Sequence, residues 1–310
     1  MPQSPPLKGD AVVIAENPGA GARSAHLRVE SLRRLLEASG LQVEVHDNLG
    51  AAVDQARRWH DAGRLQALVA AGGDGTAAEL VNRTPAGMPL ALLPSGTENL
   101  LARHLKIDGS PEGVQRTILG GRRAALDVGS ASRRLFLLMA SCGFDAEVVR
   151  RVHAVRRGHF PRLNWVKPIV AAACRYPFPP IRVYWEQVDR ATGTCSSQET
   201  VCRWAFVFNL PCYARGLPLA PQADGTDGLL DMCLFQGGHL WNGLRYAAAV
   251  SLGRHQRLAD CCVARFRRLK LVSEEPVPYQ LDGDPGGQLP LEIEIVPDRL
   301  TILVPDSPSP

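Results

Sequence analysis

Short apolar runs alternate with helix-like stretches through the first 120 residues. Runs at 11–15, 41–46, 68–71 and 90–93 predict strands, and stretches beginning near residues 27, 51, 77, 99 and 111 predict helices. Strict alternation of strands and helices is typical of a parallel sheet with helices packed on it. The pattern therefore predicts an α/β domain over residues 1–126.

After residue 127 the pattern changes to strands with few helices between them. Strands are predicted at 135–140, 182–185, 202–208, 229–235, 269–272, 291–296 and 300–304, and two helical insertions at 148–174 and 240–252. Consecutive strands with few helices between them favour antiparallel pairing of the strands. We expect a mostly antiparallel second domain over residues 127–310, with its last strands as candidates to pack back onto the first domain.

The amino-acid composition restricts the classes of protein to which the chain can belong. The chain has 310 residues, 45% of them hydrophobic and 21% charged, which is typical of a globular protein. Its eight cysteines form no C-x-x-C pair, so we expect reduced thiols. The N-terminus lacks a signal pattern and no apolar run reaches the length of a membrane span. We expect a cytoplasmic protein, with peripheral contact at the inner membrane surface as a further expectation.

Two glycine-containing turns follow predicted strands about twenty residues apart. The first is Gly72-Gly73-Asp74-Gly75-Thr76, and the second is PSGTEN at 94–99. In an open α/β sheet ligands bind outside the carboxyl ends of the strands, and glycine lets a phosphate approach the backbone and a helix N-terminus. The carboxylate of Asp74 would repel a bare phosphate but would bind a phosphate that carries Mg²⁺. The alternative for the first turn alone is an ordinary tight turn between a strand and a helix.

A basic stretch lies in the second half. Residues 148–185 contain no acidic residue, eight arginines or lysines, and the aromatic residues Phe160, Trp165, Tyr176 and Phe178. Such a face could rest on an anionic membrane surface, and the alternative is a solvated arginine-rich helix beside a core. A net charge of +4 and the lack of a nucleic-acid fold signature argue against nucleic acid as a partner.

Five sequence elements together resemble the diacylglycerol kinase catalytic domain family, which includes bacterial soluble lipid kinases and sphingosine kinases. They are GGDGT at 72–76 with Glu79 and Asn82 behind it, PSGTENLLA at 94–102, GFDA at 143–146, Ala220-Pro221 leading to DGLLD at 227–231, and DGD at 282–284. Their order and rough spacing match from residue 17 to residue 284.

The resemblance implies a fold and a set of binding residues. It implies a Rossmann-like N-terminal domain similar to NAD kinases and phosphofructokinases, a β-sandwich-like C-terminal domain that holds the lipid, and ATP in the cleft between them. The implied nucleotide contacts are Asn17, Pro18, Gly19, Ala20, Gly21, Gly72, Gly73, Asp74, Gly75, Thr76, Ala77, Ala78, Gly96, Thr97 and Asn99. A structural Mg²⁺ site would map to Asp227 with backbone oxygens of Asp224 and Leu229; an Asp-Gly turn is the alternative.

Two departures from the family pattern affect the site. The family's terminal acid is glutamate, whereas this chain has Asp284, so the base is either Asp284 or its neighbour Asp282. The glycine-rich run that often follows the family's Asn is reduced to PCYARGLP after Asn209, which changes the expected lipid entrance.

The expected reaction is transfer of the γ-phosphoryl group of ATP to the hydroxyl of a diacylglycerol- or sphingosine-like lipid. Asp74 would bind Mg²⁺, and Asp284 or Asp282 would accept the hydroxyl proton. The chain has neither a G-x-x-x-x-G-K nor an H-R-D motif, which excludes P-loop enzymes and protein kinases. The alternatives are an NAD kinase-like enzyme with a soluble substrate and a non-catalytic nucleotide or lipid sensor. Exposed strand edges are compatible with a homodimer.

Overall fold

A computed structural model of the chain describes residues 9–17, 23–155, 166–188, 195–213 and 216–306. The predicted nucleotide contacts at 18–21 and the aromatic residues Phe160 and Trp165 lie outside the described residues. The chain divides into two compact units, one formed by Met1–Leu126 with Asp298–Pro310 and the other by Asp127–Pro297. Each is described by itself.

The first unit is a parallel sheet with helices on it. Its strands are β1 (Ala11–Glu16), β2 (Gln42–His46), β3 (Leu65–Gly72), β4 (Pro89–Pro94) and the end of β15 (Leu291–Val304). They lie in the order β2-β1-β3-β4-β15, and every neighbouring pair is parallel. The helices are α1 (Arg23–Ala38), α2 (Leu49–Asp61), α3 (Asp74–Arg83), α4 (Leu100–His104) and α5 (Pro111–Gly120).

Period-2 and period-3.6 patterns explain how this unit packs. Val12 and Ile14 of β1 point to the same face of the sheet, where they join a buried cluster with Leu32 and Leu36 of α1. Helix α5 packs against the same cluster, and α2 packs on β1. Ser110 caps the start of α5 by accepting the N–H of Gly113 at 3.0 Å. The predicted α/β domain with a parallel sheet is confirmed.

The second unit is mostly antiparallel. Its strands are β5 (Arg122–Ala131, in which the chain leaves the first unit), β6 (Arg134–Phe136), β7 (Met139–Gly143), β8 (Ile181–Val188), β9 (Cys195–Cys202), β10 (Trp204–Phe208), β11 (Leu230–Phe235), β12 (Cys261–Val272), β13 (Pro278–Leu281), β14 (Asp284–Gln288) and the start of β15. Its helices are α6 (Phe144–Val155), α7 (Val166–Arg175) and α8 (Leu240–Ser251).

The following neighbouring strands of the second unit pair antiparallel. The order is β14-β13-β7-β10-β11-β12-β15, the hairpin β8-β9 joins it through β12, and β5 pairs with β6. A large apolar cluster that includes Phe136, Phe266 and Leu291, each at most 1% exposed, forms the core. The prediction of a mostly antiparallel, sandwich-like second half is confirmed.

Element boundaries differ from the predicted ones where side chains intervene. The strand predicted at 135–140 is split into β6 and β7, because the carboxylate of Asp282 accepts the N–H groups of Leu137, Leu138 and Met139 and removes them from ladder pairing. The two strands predicted at 291–296 and 300–304 are the single strand β15. The helical insertion predicted at 148–174 contains two helices, α6 and α7.

Two of the four predicted aromatic anchors of the basic stretch are buried. Tyr176 and Phe178 are 9% and 4% exposed and pack with Phe144 and Trp204 in one aromatic cluster, with ring centroids 4.9–6.2 Å apart. Because these rings stabilise the core of the second unit, they do not form a surface face. Tyr176 and Phe178 are therefore not the membrane anchors that one of the two interpretations of the basic stretch required.

Cysteine chemistry and membrane crossing can be stated for the described part of the chain. Six cysteines there are free thiols: Cys142, Cys202, Cys212, Cys233, Cys261 and Cys262. Among the helices in the described ranges, none combines the length and the apolar character needed to cross a bilayer.

Candidate functional site

The predicted phosphate-binding turns lie at one edge of the parallel sheet. In the strand register, Glu16 of β1 lies opposite Ala71 of β3, and Gly72 lies opposite Pro94 of β4. Because these strands are parallel, the segments that follow them leave the sheet at the same edge. Asn17, the first turn and the second turn therefore lie side by side.

The two turns touch each other through backbone atoms. The N–H of Ser95 donates to the carbonyl oxygen of Gly72 at 2.9 Å. A Cβ placed on Gly96 would lie 2.6 Å from the Cα of Gly73, and a Cβ on Gly73 would lie 3.3 Å from the Cα of Gly96. Real Cβ atoms essentially never approach another atom to 2.6 Å, so this packing requires glycine at position 96 in the second turn.

Polar side chains fix the conformation of the turns. Asn17 donates through Nδ2 to Oγ1 of the buried Thr76 at 3.0 Å. In the second turn Asn99, in the left-handed conformation with φ of 48°, accepts the N–H of Gly96 at 3.0 Å and donates to its carbonyl at 2.8 Å. These bonds hold the loops without using the helix N-terminus of α3.

Asp74 links the two turns. Its Oδ2 accepts the N–H of Leu100 at 2.9 Å and its Oδ1 accepts the N–H of Leu101 at 3.0 Å, so the carboxylate of the first turn caps the helix of the second. Burial raises the pKa of Asp74, the two backbone N–H groups lower it, and the charge of Glu98 raises it again.

The predicted bases Asp282 and Asp284 lie on one hairpin of the second unit and have different surroundings. Asp282 and Gly283, with φ of 51° and 88°, form the two-residue turn between β13 and β14. Both carboxylate oxygens of Asp282 accept backbone N–H groups, at 2.6 Å from Leu137 and at 2.8 and 3.0 Å from Leu138 and Met139. Asp282 therefore has a structural role, since its carboxylate binds the backbone of Leu137, Leu138 and Met139.

Asp284 has the more accessible carboxylate. Its side chain is 41% exposed, and its Oδ2 lies 3.9 Å from the Nη2 of Arg134. As the first residue of β14 it is held by the β13–β14 pairing rather than by its own hydrogen bonds. Of the two candidates, Asp284 is the one whose oxygens remain accessible to a substrate proton.

A buried polar network that the sequence reasoning missed supports this hairpin. Asp145 of the GFDA element accepts the hydroxyls of Ser141 at 2.5 Å and Tyr213 at 2.6 Å. Gln280 donates to Ser141 at 3.0 Å and accepts the N–H of Gly283 at 2.7 Å. The chain of bonds connects Asp145 to the turn that precedes Asp284, and no spacing in the sequence indicated it.

Two family models match the chain. Residues 10–131 match the diacylglycerol kinase catalytic domain, and residues 139–304 match the YegS C-terminal NAD kinase beta sandwich-like domain. The second model covers more than half of the chain, so the chain belongs to the family with a YegS C-terminal domain, here preceded by a diacylglycerol kinase catalytic domain. The family prediction is thereby confirmed, and the chain's class is that of an ATP-dependent kinase that phosphorylates a lipid hydroxyl.

Relatives of this kinase match it over nearly their whole length. A diacylglycerol kinase from Mycobacterium tuberculosis is 27% identical over 97% of this chain and 93% of that protein. One from Bacillus subtilis is 24% identical over 94% of this chain and 95% of that protein. A crystal structure of a diacylglycerol kinase from Bacillus anthracis str. Sterne, 18% identical, aligns with a TM-score of 0.66 over 96% of this chain and 97% of that one, which shows a shared fold.

No group of three or more potential metal ligands occurs among the described residues, and Asp74 and Glu98 are the two carboxylates beside the turns that would hold a magnesium ion arriving with ATP. The charge of Glu98 is close enough to Asp74 to raise its pKa, and a divalent cation would relieve that repulsion. Mg²⁺ bound to a nucleotide needs only one or two protein carboxylates because phosphates and water supply the other ligands. Glu98 was not predicted as a site residue, because no spacing in the sequence indicates its proximity to Asp74.

The residues at the predicted structural Mg²⁺ site fit a metal ion poorly. Arg265 contacts Oδ2 of Asp227 through Nη1 and Oδ1 of Asp231 through Nε, both at 3.1 Å. Oδ1 of Asp227 accepts the N–H of Leu229 at 3.1 Å, and the carbonyl of Asp224 accepts the N–H of Asp227 at 3.4 Å. The guanidinium of Arg265 already supplies positive charge there, so a metal ion at this position stays a prediction.

Replacing Arg265 by Met tests which cation neutralises this acidic pair. The side chains of Arg265 and Asp231 are 12% and 1% exposed. Removing the guanidinium leaves buried charge unpaired, so we expect the free energy of unfolding to fall by about 3 kcal/mol in urea titrations. We also expect the midpoint of wild-type thermal unfolding to be the same with Mg²⁺ and with EDTA. A midpoint that EDTA lowers in the wild type would instead support the metal site.

The pH dependence of stability tests the network around Asp145. Burial raises the pKa of Asp145 above its ordinary value of 3.8, against hydrogen bonds from Ser141, Tyr213 and Gln280. Between those two pKa values the folded protein keeps a proton that the unfolded chain has released, so unfolding free energy falls as pH rises through this window. Relative to Asp145→Asn, the wild type should lose stability as the pH rises above about 4, because the unfolded chain then releases the proton that folded Asp145 keeps. If the free energies of unfolding of the wild type and of Asp145→Asn, measured in urea titrations, had parallel pH profiles, the result would contradict this prediction.

Proposed function

We propose that the chain transfers the γ-phosphoryl group of ATP to the free hydroxyl of diacylglycerol. The observation that carries the proposal is the contact between the two glycine turns, with Asp74 of the first turn bonded to the N–H groups of Leu100 and Leu101. Backbone packed this closely at the end of a parallel sheet supports close approach of a polyphosphate.

The triphosphate is held by the first unit. The start of α3, a helix of ten residues, lies in the first turn and attracts anionic phosphate. Thr97 and Gly75 are exposed at the surface of the two turns and are proposed contacts, as are Asn17 and Gly73. When Mg²⁺ is bound with ATP it neutralises charge on the transferred phosphoryl group, and Asp74 with Glu98 would hold it.

Proton removal is assigned to Asp284. The lipid hydroxyl oxygen forms a bond to the γ-phosphorus, the bond from that phosphorus to the bridging oxygen of ADP breaks, and the hydroxyl proton passes to a carboxylate oxygen of Asp284. The N–H groups of Leu137, Leu138 and Met139 occupy the oxygens of Asp282, so Asp282 shapes the hairpin that carries Asp284.

The acceptor is proposed to be diacylglycerol because the curated relatives that cover nearly all of this chain carry that name. Such a lipid resides in a bilayer, so we also propose transient contact of the chain with a membrane surface. A homodimer is a further proposal, and no contact of the described residues is assigned to it.

An assay with labelled ATP across a panel of acceptors tests the proposal. Purified protein is incubated with [γ-³²P]ATP, Mg²⁺ and either diacylglycerol, a sphingoid base, ceramide or NAD, and the product is identified by mass. We expect label on diacylglycerol. Label on NAD would establish the NAD kinase-like alternative, and ATP binding without turnover on any acceptor would establish the sensor.

A further inference from the structure

Helix α8 carries an apolar stripe on its outer face. Leu240, Trp241, Leu244 and Leu252 are 40%, 79%, 54% and 68% exposed. Trp241 and Leu244 are three residues apart, Leu240 and Leu244 are four apart, and the exposed Ala247 and Ala248 continue the same side of the helix toward Leu252, the C-cap residue that follows it. Large apolar side chains grouped on a surface in this way mark an interaction site.

The opposite face of α8 is fixed to the second unit, which sets the direction of the stripe. Tyr246 is 3% exposed, stacks on Phe235 at 4.3 Å between ring centroids and accepts the N–H of Gly237 at 2.8 Å. A Cβ on Gly243 would lie 2.9 Å from the ring of Trp204, so the helix backbone packs directly on that ring. The helix cannot turn its stripe inward without losing these contacts.

The segment that carries the stripe is positively charged. No acidic residue occurs from 232 to 259, and Arg254 and Arg257 are exposed just beyond the end of the helix. The next acidic side chain along the chain, Asp260, is already bonded to Arg245 and to Tyr246. A second copy of this face would bring like charges together, whereas an anionic lipid surface would accept both the apolar stripe and the arginines.

We propose that the outer face of α8 docks on an anionic lipid bilayer, with Trp241 and Leu244 inserted at the headgroup boundary and Arg254 and Arg257 next to the phosphates. Tryptophan is enriched at that boundary because its ring is apolar and its N–H is polar. The inference rests on the proposed function, since it supplies the surface through which the enzyme reaches a lipid substrate.

Vesicle binding by the full-length protein tests the docking face separately from catalysis. Cosedimentation uses equimolar phosphatidylserine and phosphatidylcholine, without ATP and without an acceptor lipid. We expect the double variant Trp241→Gln/Leu244→Gln to bind about tenfold more weakly than the wild type. The matched control is Val201→Gln, which removes an apolar residue 48% exposed on β9 and should bind as the wild type does.

Vesicle binding by charge variants and the activity of the apolar variant complete the design. Arg254→Gln/Arg257→Gln should weaken binding to the mixed vesicles and abolish the advantage of phosphatidylserine over phosphatidylcholine alone, whereas Arg57→Gln/Arg116→Gln should not. The Trp241→Gln/Leu244→Gln variant should retain activity on a water-soluble short-chain diacylglycerol and lose it on long-chain diacylglycerol in vesicles.

The outcomes separate the two proposals. Vesicle binding by Trp241→Gln/Leu244→Gln that equals wild-type binding overturns the docking face. A change of that variant from dimer to monomer in sedimentation velocity, with vesicle binding retained, also overturns it. Loss of vesicle binding in that variant, in a protein whose wild type phosphorylates no lipid, supports the docking face and overturns the proposed function alone.

Discussion

Replacing Asp284 by Asn is expected to lower kcat for lipid phosphorylation about 100-fold or more, which is the usual contribution of a general base. The amide cannot accept the hydroxyl proton, and the change is nearly isosteric at a side chain that is 41% exposed. The midpoint of thermal unfolding should therefore stay within a few degrees of the wild-type value. Initial rates with labelled ATP at saturating lipid measure the effect.

Two companion variants show whether the loss reflects proton transfer. Glu292→Gln removes an exposed carboxylate elsewhere in the second unit and should leave kcat unchanged. Asp282→Ala removes the acceptor of three backbone N–H groups and should lower the free energy of unfolding by about 2 kcal/mol. Wild-type activity in Asp284→Asn would show that the base lies elsewhere.

Replacing Gly96 by Ala is expected to remove measurable ATP binding. The added Cβ would lie 2.6 Å from the Cα of Gly73 and 2.8 Å from Oδ1 of Asn99, so the two turns must move apart. Backbone cannot yield as a flexible side chain does, and overpacking of this kind costs about 1 to 3 kcal/mol. Titration calorimetry with ATP and Mg²⁺ measures the affinity, and circular dichroism checks the fold.

The matched control is Gly120→Ala in the first unit. A Cβ at Gly120, the last residue of α5, meets no atom within 4 Å, so the substitution should leave ATP affinity unchanged. Equal affinity for ATP in Gly96→Ala and Gly120→Ala would show that close contact between the turns is not needed for nucleotide binding.

The sequence predicted the first unit well because its signals are local. Strand β3 is an apolar run that ends at Gly72, and a cap and a proline mark the start of α5 at Ser110 and Pro111. Parallel strands that end in glycine turns also imply that the turns meet at one edge of the sheet. The α/β class and the closeness of the two turns followed from these features.

The second unit was harder to predict because distant residues set its boundaries. The gap between β6 and β7 depends on Asp282, which lies more than 140 residues away along the chain. The hairpin β13–β14 has a local signal, the Asp282-Gly283 pair between two extended segments, which is typical of a two-residue hairpin turn as well as of the family's terminal motif. Strand β9, with the sequence CSSQETVC, has little apolar pattern and gains its place by pairing with β8.

Interactions between distant charged groups could not be predicted at all. Arg265 lies 38 residues from Asp227, and spacing alone does not show that a guanidinium occupies the position where a metal was expected. The proximity of Glu98 to Asp74 and the task of Asp282 also depend on tertiary contacts. The residue types in the motifs could be identified from the sequence, whereas the role of each residue could be assigned only from the fold.

The central claim is most directly tested by following the γ-phosphate of ATP into lipid with purified protein. Incubation with [γ-³²P]ATP, Mg²⁺ and diacylglycerol should yield a labelled lipid whose mass exceeds that of the acceptor by one phosphoryl group, and Gly96→Ala should yield none. Label that stays on ATP or appears only in inorganic phosphate, with folded wild-type protein and every lipid acceptor tested, would contradict the account.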